Sequence, residues 1–153
     1  MGFTFKVETR KLPALRKRLA QLDGTEVEIG FFEEDRYGPE NENLPVAQVA
    51  YYNEFGTVHN PTRPFMEETF GDAMTQKQAN KTMKAIFESA LTNGRAIPRL
   101  LIALGDDFAK AMKTTILHYP GSNSAETIAK KGRNSPLRDT EFMMNSVKFQ
   151  IHR

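Results

Sequence analysis

The residue types that could do chemistry in this sequence are three histidines, two short acidic runs and one basic stretch. His59, His118 and His152 lie far apart and share no metal-ligand spacing, so each reads as a surface or internally satisfied imidazole. Asp106 and Asp107 are neighbours in a helical stretch. Their carboxylates therefore point about 100° apart and are poorly placed to share one cation. Glu33-Glu34-Asp35 carries enough charge for a cation but falls in a loop-like segment, where a solvated charge run is the usual case. Lys130, Lys131, Arg133 and Arg138 form a basic segment able to touch phosphate, with no aromatic side chains beside it to stack bases. There is no Gly-rich phosphate loop, nucleophile elbow or zinc motif. The chemistry to expect is binding and assembly, and neither an enzyme nor a cofactor nor a metal is expected.

Composition narrows the classes further. The chain has 153 residues, the size of one domain with one modest core. Zero cysteines remove disulfides and thiolate metal sites. The net charge of +2 is too weak for nucleic acid to be the main partner, because counterion release needs a concentrated basic surface. Charge is unevenly placed, however. Residues 1–60 carry 7 basic and 10 acidic side chains, and residues 61–153 carry 14 and 9, so the parts could meet within one fold or between neighbouring copies. The opening residues show no signal-peptide core, and no apolar run approaches the ~20 residues of a membrane span, so no membrane partner is expected.

The elements that must position these residues follow from periodicity. Residues 10–22 read as a helix, with Leu12, Leu15, Leu19 and Leu22 on one face, Pro13 in the first turn and Gly24 as the stop. Residues 25–32 alternate, placing Val27, Ile29 and Phe31 on the buried face of a strand. Residues 33–44 are polar and broken by Gly38-Pro39, an exposed loop or a hairpin arm. A short helix over 45–55, with Val46, Val49, Ala50 and Asn53 on one face, stops at Gly56. A proline-stiffened link leads to a long helical region over 66–92, with a break at Gly71 and Asp72 able to cap its second part. Its apolar stripe is Met74, Ala79, Met83, Ile86, Phe87 and Ala90. The helix over 98–118 has the clearest face: Ile97, Leu101, Leu104, Phe108, Met112 and Ile116. A short helix capped within Ser122-Asn123-Ser124, a basic loop, one more helical turn and a strand through Val147, Phe149 and Ile151 complete the chain. The expected fold is α+β, a single domain in which a small antiparallel sheet packs against two long helices.

Three segments carry a resemblance. The first is Val46-Ala47-Gln48-Val49-Ala50-Tyr51-Tyr52-Asn53-Glu54-Phe55-Gly56-Thr57 followed by Pro61-Thr62-Arg63-Pro64-Phe65. It resembles the signature of the tailed-phage minor-tail-component family, the tail-completion and virion-morphogenesis proteins, with lambda protein Z among their distant relatives. The second, residues 124–132 with Thr127, Lys131 and Gly132, is similar to that family's Thr-Ile…Lys-Gly segment. The third, residues 136–147 with Leu137, Asp139, Thr140 and Ser146, is similar to its Pro-Leu…Asp-Thr-Gly segment. Glu141 stands where the family carries glycine, which implies a different backbone there, and Met143 or Met144 stands near the usual leucine. The likeness spans roughly residues 46–149, in the family's order and spacing.

The resemblance implies a structural virion protein at the head–tail joint, a tail-completion or neck protein assembling as a symmetric ring, most plausibly of six. It would be made in the host cytoplasm and would end in the virion. Its partners would be itself and other neck and tail proteins: head-closure or connector, tail terminator and tail tube, with weak contact to packaged DNA. Two alternatives stand beside it, a tail terminator capping the tube, and a nucleic-acid-binding module using Lys130, Lys131, Arg133 and Arg138. The motif also has a plain physical reading. Phe65 anchors the link in the core, Glu54 and Arg63 pair across the turn, and Phe32, Tyr37, Tyr51 and Tyr52 are exposed aromatics available to a neighbour.

Overall fold

The computed structural model describes residues 9–138 and 141–153. Helix α1 (Leu12–Leu19) leads to strand β1 (Glu26–Gly30), and a 3-10 turn at Pro39–Asn41 precedes α2 (Val46–Phe55). Then come α3 (Phe65–Gly71), α4 (Ala73–Thr92) and α5 (Ile97–Leu117). The chain finishes with α6 (Ala125–Lys131), α7 (Phe142–Asn145) and β2 (Lys148–His152). The fold is α+β, as expected: a two-stranded antiparallel sheet against the long helices α4 and α5.

Helix α5 organises the core because its apolar residues recur along one face over its whole length. Ile97, Leu101 and Leu104 at one end join Ile86 and Ala90 of α4. Ala109, Met112 and Ile116 at the other end join Val46 and Ala50 of α2, Phe65 of α3, and Met143 and Val147 near the C-terminus. Phe108 is only half-buried and stacks on Phe70 instead, with ring centres 5.2 Å apart. The sheet register pairs Val27 with Ile151 and Ile29 with Phe149, so the alternating apolar residues of both strands share one face and pack on the core. The other face is polar, where His152 Nε2 lies 3.1 Å from Glu28 Oε2.

The sheet approaches α5 at Gly105, a buried glycine in the helix interior. A Cβ there would overlap the Phe149 ring. Two effects compete in Gly105→Ala. Helix propensity favours alanine by about 1 kcal/mol, and overpacking a well-filled core costs about 1–3 kcal/mol. The overlap falls on the near end of the Phe149 ring, which packs on the core, so the net expected result is a loss. It would be read as a lower melting temperature by circular dichroism, and a raised one would show that the contact is slack.

Three expectations are corrected. Helix α1 is shorter than residues 10–22 and none of its residues is buried; it packs on α4, where Arg18 Nε donates to Ala90 O at 2.7 Å. On α4, Met74, Met83 and Phe87 are exposed, and Thr82 and Ser89 take buried positions beside Ile86 and Ala90. Residues 33–44 form a loop whose flanks pair, as the sequence offered, and it lies outside the two-stranded sheet: Tyr37 N donates to Leu44 O at 2.9 Å and Val46 N to Asp35 O at 2.9 Å. Phe32 is buried, and Tyr37 is half-buried with its ring centre 5.2 Å from that of Phe142. The predicted break between α3 and α4 does occur, with Asp72 Oδ2 accepting from Thr75 N at 2.8 Å. That hydrogen bond holds the Asp72 carboxyl below its ordinary pKa.

Candidate binding cleft

The first motif is a helix end and a tight return. Helix α2 buries Val46, Ala50 and Glu54, which leaves Tyr51, Tyr52 and Phe55 on its outer side. It stops at Gly56, whose φ of 74° and ψ of 170° suit glycine alone, and a Cβ there would also crowd Thr62. Thr57 then closes a turn, its hydroxyl accepting from His59 N at 3.2 Å and Asn60 N at 3.0 Å. The chain comes back alongside the helix, so that Arg63 N donates to Asn53 O at 2.7 Å. Pro64, with φ −77° and ψ 61°, makes an inverse γ-turn in which Phe65 N donates to Arg63 O at 2.8 Å. Phe65 enters the core and is fully buried, as expected.

Glu54 does not pair with Arg63. Its carboxylate accepts from Met66 N at 2.8 Å and Glu67 N at 3.0 Å, so α2 caps the N-terminus of α3. The cause is local: Pro64 occupies the N-cap position and has no side-chain acceptor to offer. Arg63 turns instead to the residue just before the second motif, where Nη2 donates to Asn123 Oδ1 at 3.3 Å.

The second motif is α6 with both ends capped. Ser124 Oγ accepts from Thr127 N at 3.2 Å, and Gly132 closes the other end at φ 68°. The third motif follows directly. Lys131 Nζ donates to Arg138 O at 3.1 Å, and Ser135 Oγ donates to the same oxygen at 3.0 Å. Glu141 is left-handed at φ 63°. That left-handed backbone is one glycine adopts readily and other residues rarely. Met143 is buried in the core. Ser146 Oγ donates to Phe142 O at 2.9 Å. Asp139 and Thr140 lie outside the described residues.

These three segments meet around one cleft of about 460 Å³. Asn53 and Arg63 come from the first, Thr127 and Lys131 from the second, and Leu137 and Glu141 from the third. The remaining motif residues are used elsewhere. Glu54, Gly56, Thr57, Pro64, Phe65, Gly132 and Ser146 shape the backbone or fill the core, whereas Tyr51 and Phe55 face outward. Beside the cleft, Tyr119 hydrogen-bonds Glu68 Oε1 at 3.1 Å, and burial, then that carboxylate, push its phenol up to about 12.

The basic segment is partly neutralised by its own neighbours. Lys130 pairs with Glu126 at 3.2 Å and Arg138 with Glu141 at 3.5 Å. Several other charged groups are paired as well. Lys110 bonds Asp106, Gln78 bonds Asp107 at 3.0 Å, and Lys148 pairs with Asp35 at 2.8 Å. The hydrogen bond to Asp35 raises the Lys148 ammonium above its ordinary pKa. Asp35 of the first part thus meets Lys148 of the second within one chain. Among the described residues no group of three or more His, Cys, Asp and Glu could hold a metal, and no helix is long and apolar enough to cross a membrane.

Sequence reasoning missed Asn123 as a cleft residue. Ser122-Asn123-Ser124 read as capping material, and only Ser124 caps. The Arg63–Asn123 contact spans 60 positions, so no local pattern announces it. Comparisons with protein-family models, with curated proteins and with solved structures found no match.

Proposed function

We propose that this chain is a structural virion protein of a tailed phage, a tail-completion or neck subunit that works as one member of a symmetric ring at the head–tail joint. The observation that supports this best is the division of labour within α2. Its inner side and the following turn are consumed by the fold, while the outer side presents Tyr51 at 58% and Phe55 at 65% exposure. Their ring centres lie 4.7 Å apart, Tyr52 continues the patch, and Val58 at the turn is 98% exposed. Clustered aromatics left uncovered on a small chain mark an interaction surface rather than a core. A ring contact is heterologous, so this patch would meet a different surface of the next copy.

The test is the mass of the chain by light scattering after gel filtration, across a concentration series. A mass that climbs to a fixed multiple of the monomer is expected. Tyr51→Ser combined with Phe55→Ser, both outside the core, should weaken that association by about thirtyfold, the scale of an interface hot spot. A wild-type chain that stays monomeric at every concentration removes the ring. For the nucleic-acid reading, Lys130 and Arg138 of the basic segment already face Glu126 and Glu141, which lowers its net charge.

A further inference from the structure

We infer that the cleft is a receptor for a carboxylate presented by an acidic polypeptide segment. Asn123 is only 9% exposed, yet its side-chain nitrogen meets no acceptor among the described residues. Buried amide donors are nearly always satisfied, so this one calls for an acceptor. Its orientation is fixed by Arg63, because turning the amide over would set two donors against each other. Arg63 beside it is half-buried. Its guanidinium has several N–H donors, and Asn123 Oδ1 at 3.3 Å is the one acceptor it meets among the described residues. Two neighbouring donors, one cationic and forked, suit the paired oxygens of a carboxylate.

The rest of the cleft agrees. Lys131 adds positive charge on the same wall, and the acidic Glu141 is offset by Arg138. Leu44, Val49 and Leu137 supply apolar surface for the methylene stem of an aspartate or glutamate and for its neighbours. A volume of about 460 Å³ admits a few side chains. Nucleic acid would instead need a row of cations along an open groove. The inference stands apart from ring assembly: a monomer that binds an acidic peptide fails the ring alone, and a ring that ignores one fails this cleft alone.

The experiment is a backbone-amide NMR titration of the full chain with a capped peptide of alternating Asp and Glu, with succinate, and with inorganic phosphate and a single-stranded oligonucleotide. Saturable shifts around Arg63 and residues 122–127 are expected with the peptide, and weaker ones with succinate. Succinate binding as tightly as the peptide would assign the same chemistry to a small free acid. Arg63→Gln should weaken peptide binding at least about tenfold. Asn123→Asp is the second variant and leaves Arg63 in place. It sets an internal carboxylate against the guanidinium, and should abolish peptide binding while raising the melting temperature. The proposal is overturned if neither carboxylate probe gives saturable shifts, if phosphate or the oligonucleotide binds more tightly than the peptide, or if Asn123→Asp melts lower and still binds.

Discussion

Replacing Phe65 with alanine lowers the unfolding free energy by about 3–5 kcal/mol, the usual cost of deleting a fully buried aromatic side chain. Phe65 has no exposed surface and sits among Val46, Ala50, Ala109, Met112 and Ile116. It also meets Phe31 edge to face, with centroids 6.1 Å apart and an interplanar angle of 77°. Such a pair is worth about 0.5–1.5 kcal/mol beyond its area. The loss is therefore a large share of a small domain's whole stability. Its consequence reaches the cleft, since Phe65 N holds the γ-turn that aims Arg63 at Asn123. Urea unfolding measures the loss. A change of about 0.5 kcal/mol, the scale of a surface substitution, would show that the link is anchored elsewhere.

Periodicity reported faces well where one neighbour covers a whole face. The residues read onto the buried side of α5 are core, apart from the half-buried Phe108, and the alternating residues of β1 and β2 pair on the packed side. It failed where the cover is partial. The leucines of α1 recur at helical spacing but none is buried, and Phe87 on α4 repeats correctly and is still exposed. Spacing states which side chains share a face, and says nothing about whether another element arrives to cover it. The cleft was half legible for a related reason. The motif residues were named, but their division into cap, turn, core and lining depends on contacts across many positions, such as Arg63 with Asn123 and Glu54 with Met66. At Glu141 the surrounding turn imposes φ 63°, a left-handed backbone that the residue type does not announce.

The second large effect belongs to Glu54, where Glu54→Ala should cost about 3 kcal/mol, since hydrogen bonds to a charged group are worth about 1.5–3 kcal/mol each and the pair is not fully additive. The carboxylate is 6% exposed and serves two backbone N–H groups of α3. Alanine would leave both donors without their partner at a helix start that Pro64 cannot cap. Glu54→Gln separates charge from geometry. It keeps one accepting oxygen and turns an amide N–H toward the other donor, so it should recover only part of the loss. Glu54→Asp tests reach, because a stem shorter by one methylene cannot span from α2 to both groups. The order expected in urea unfolding is therefore wild type, then Gln and Asp, then Ala. A glutamine variant as stable as wild type would mean that charge at the start of α3 contributes nothing. An alanine variant within about 0.5 kcal/mol of wild type would mean that water replaces the cap without cost, and that the α2–α3 junction is held by Phe65 alone.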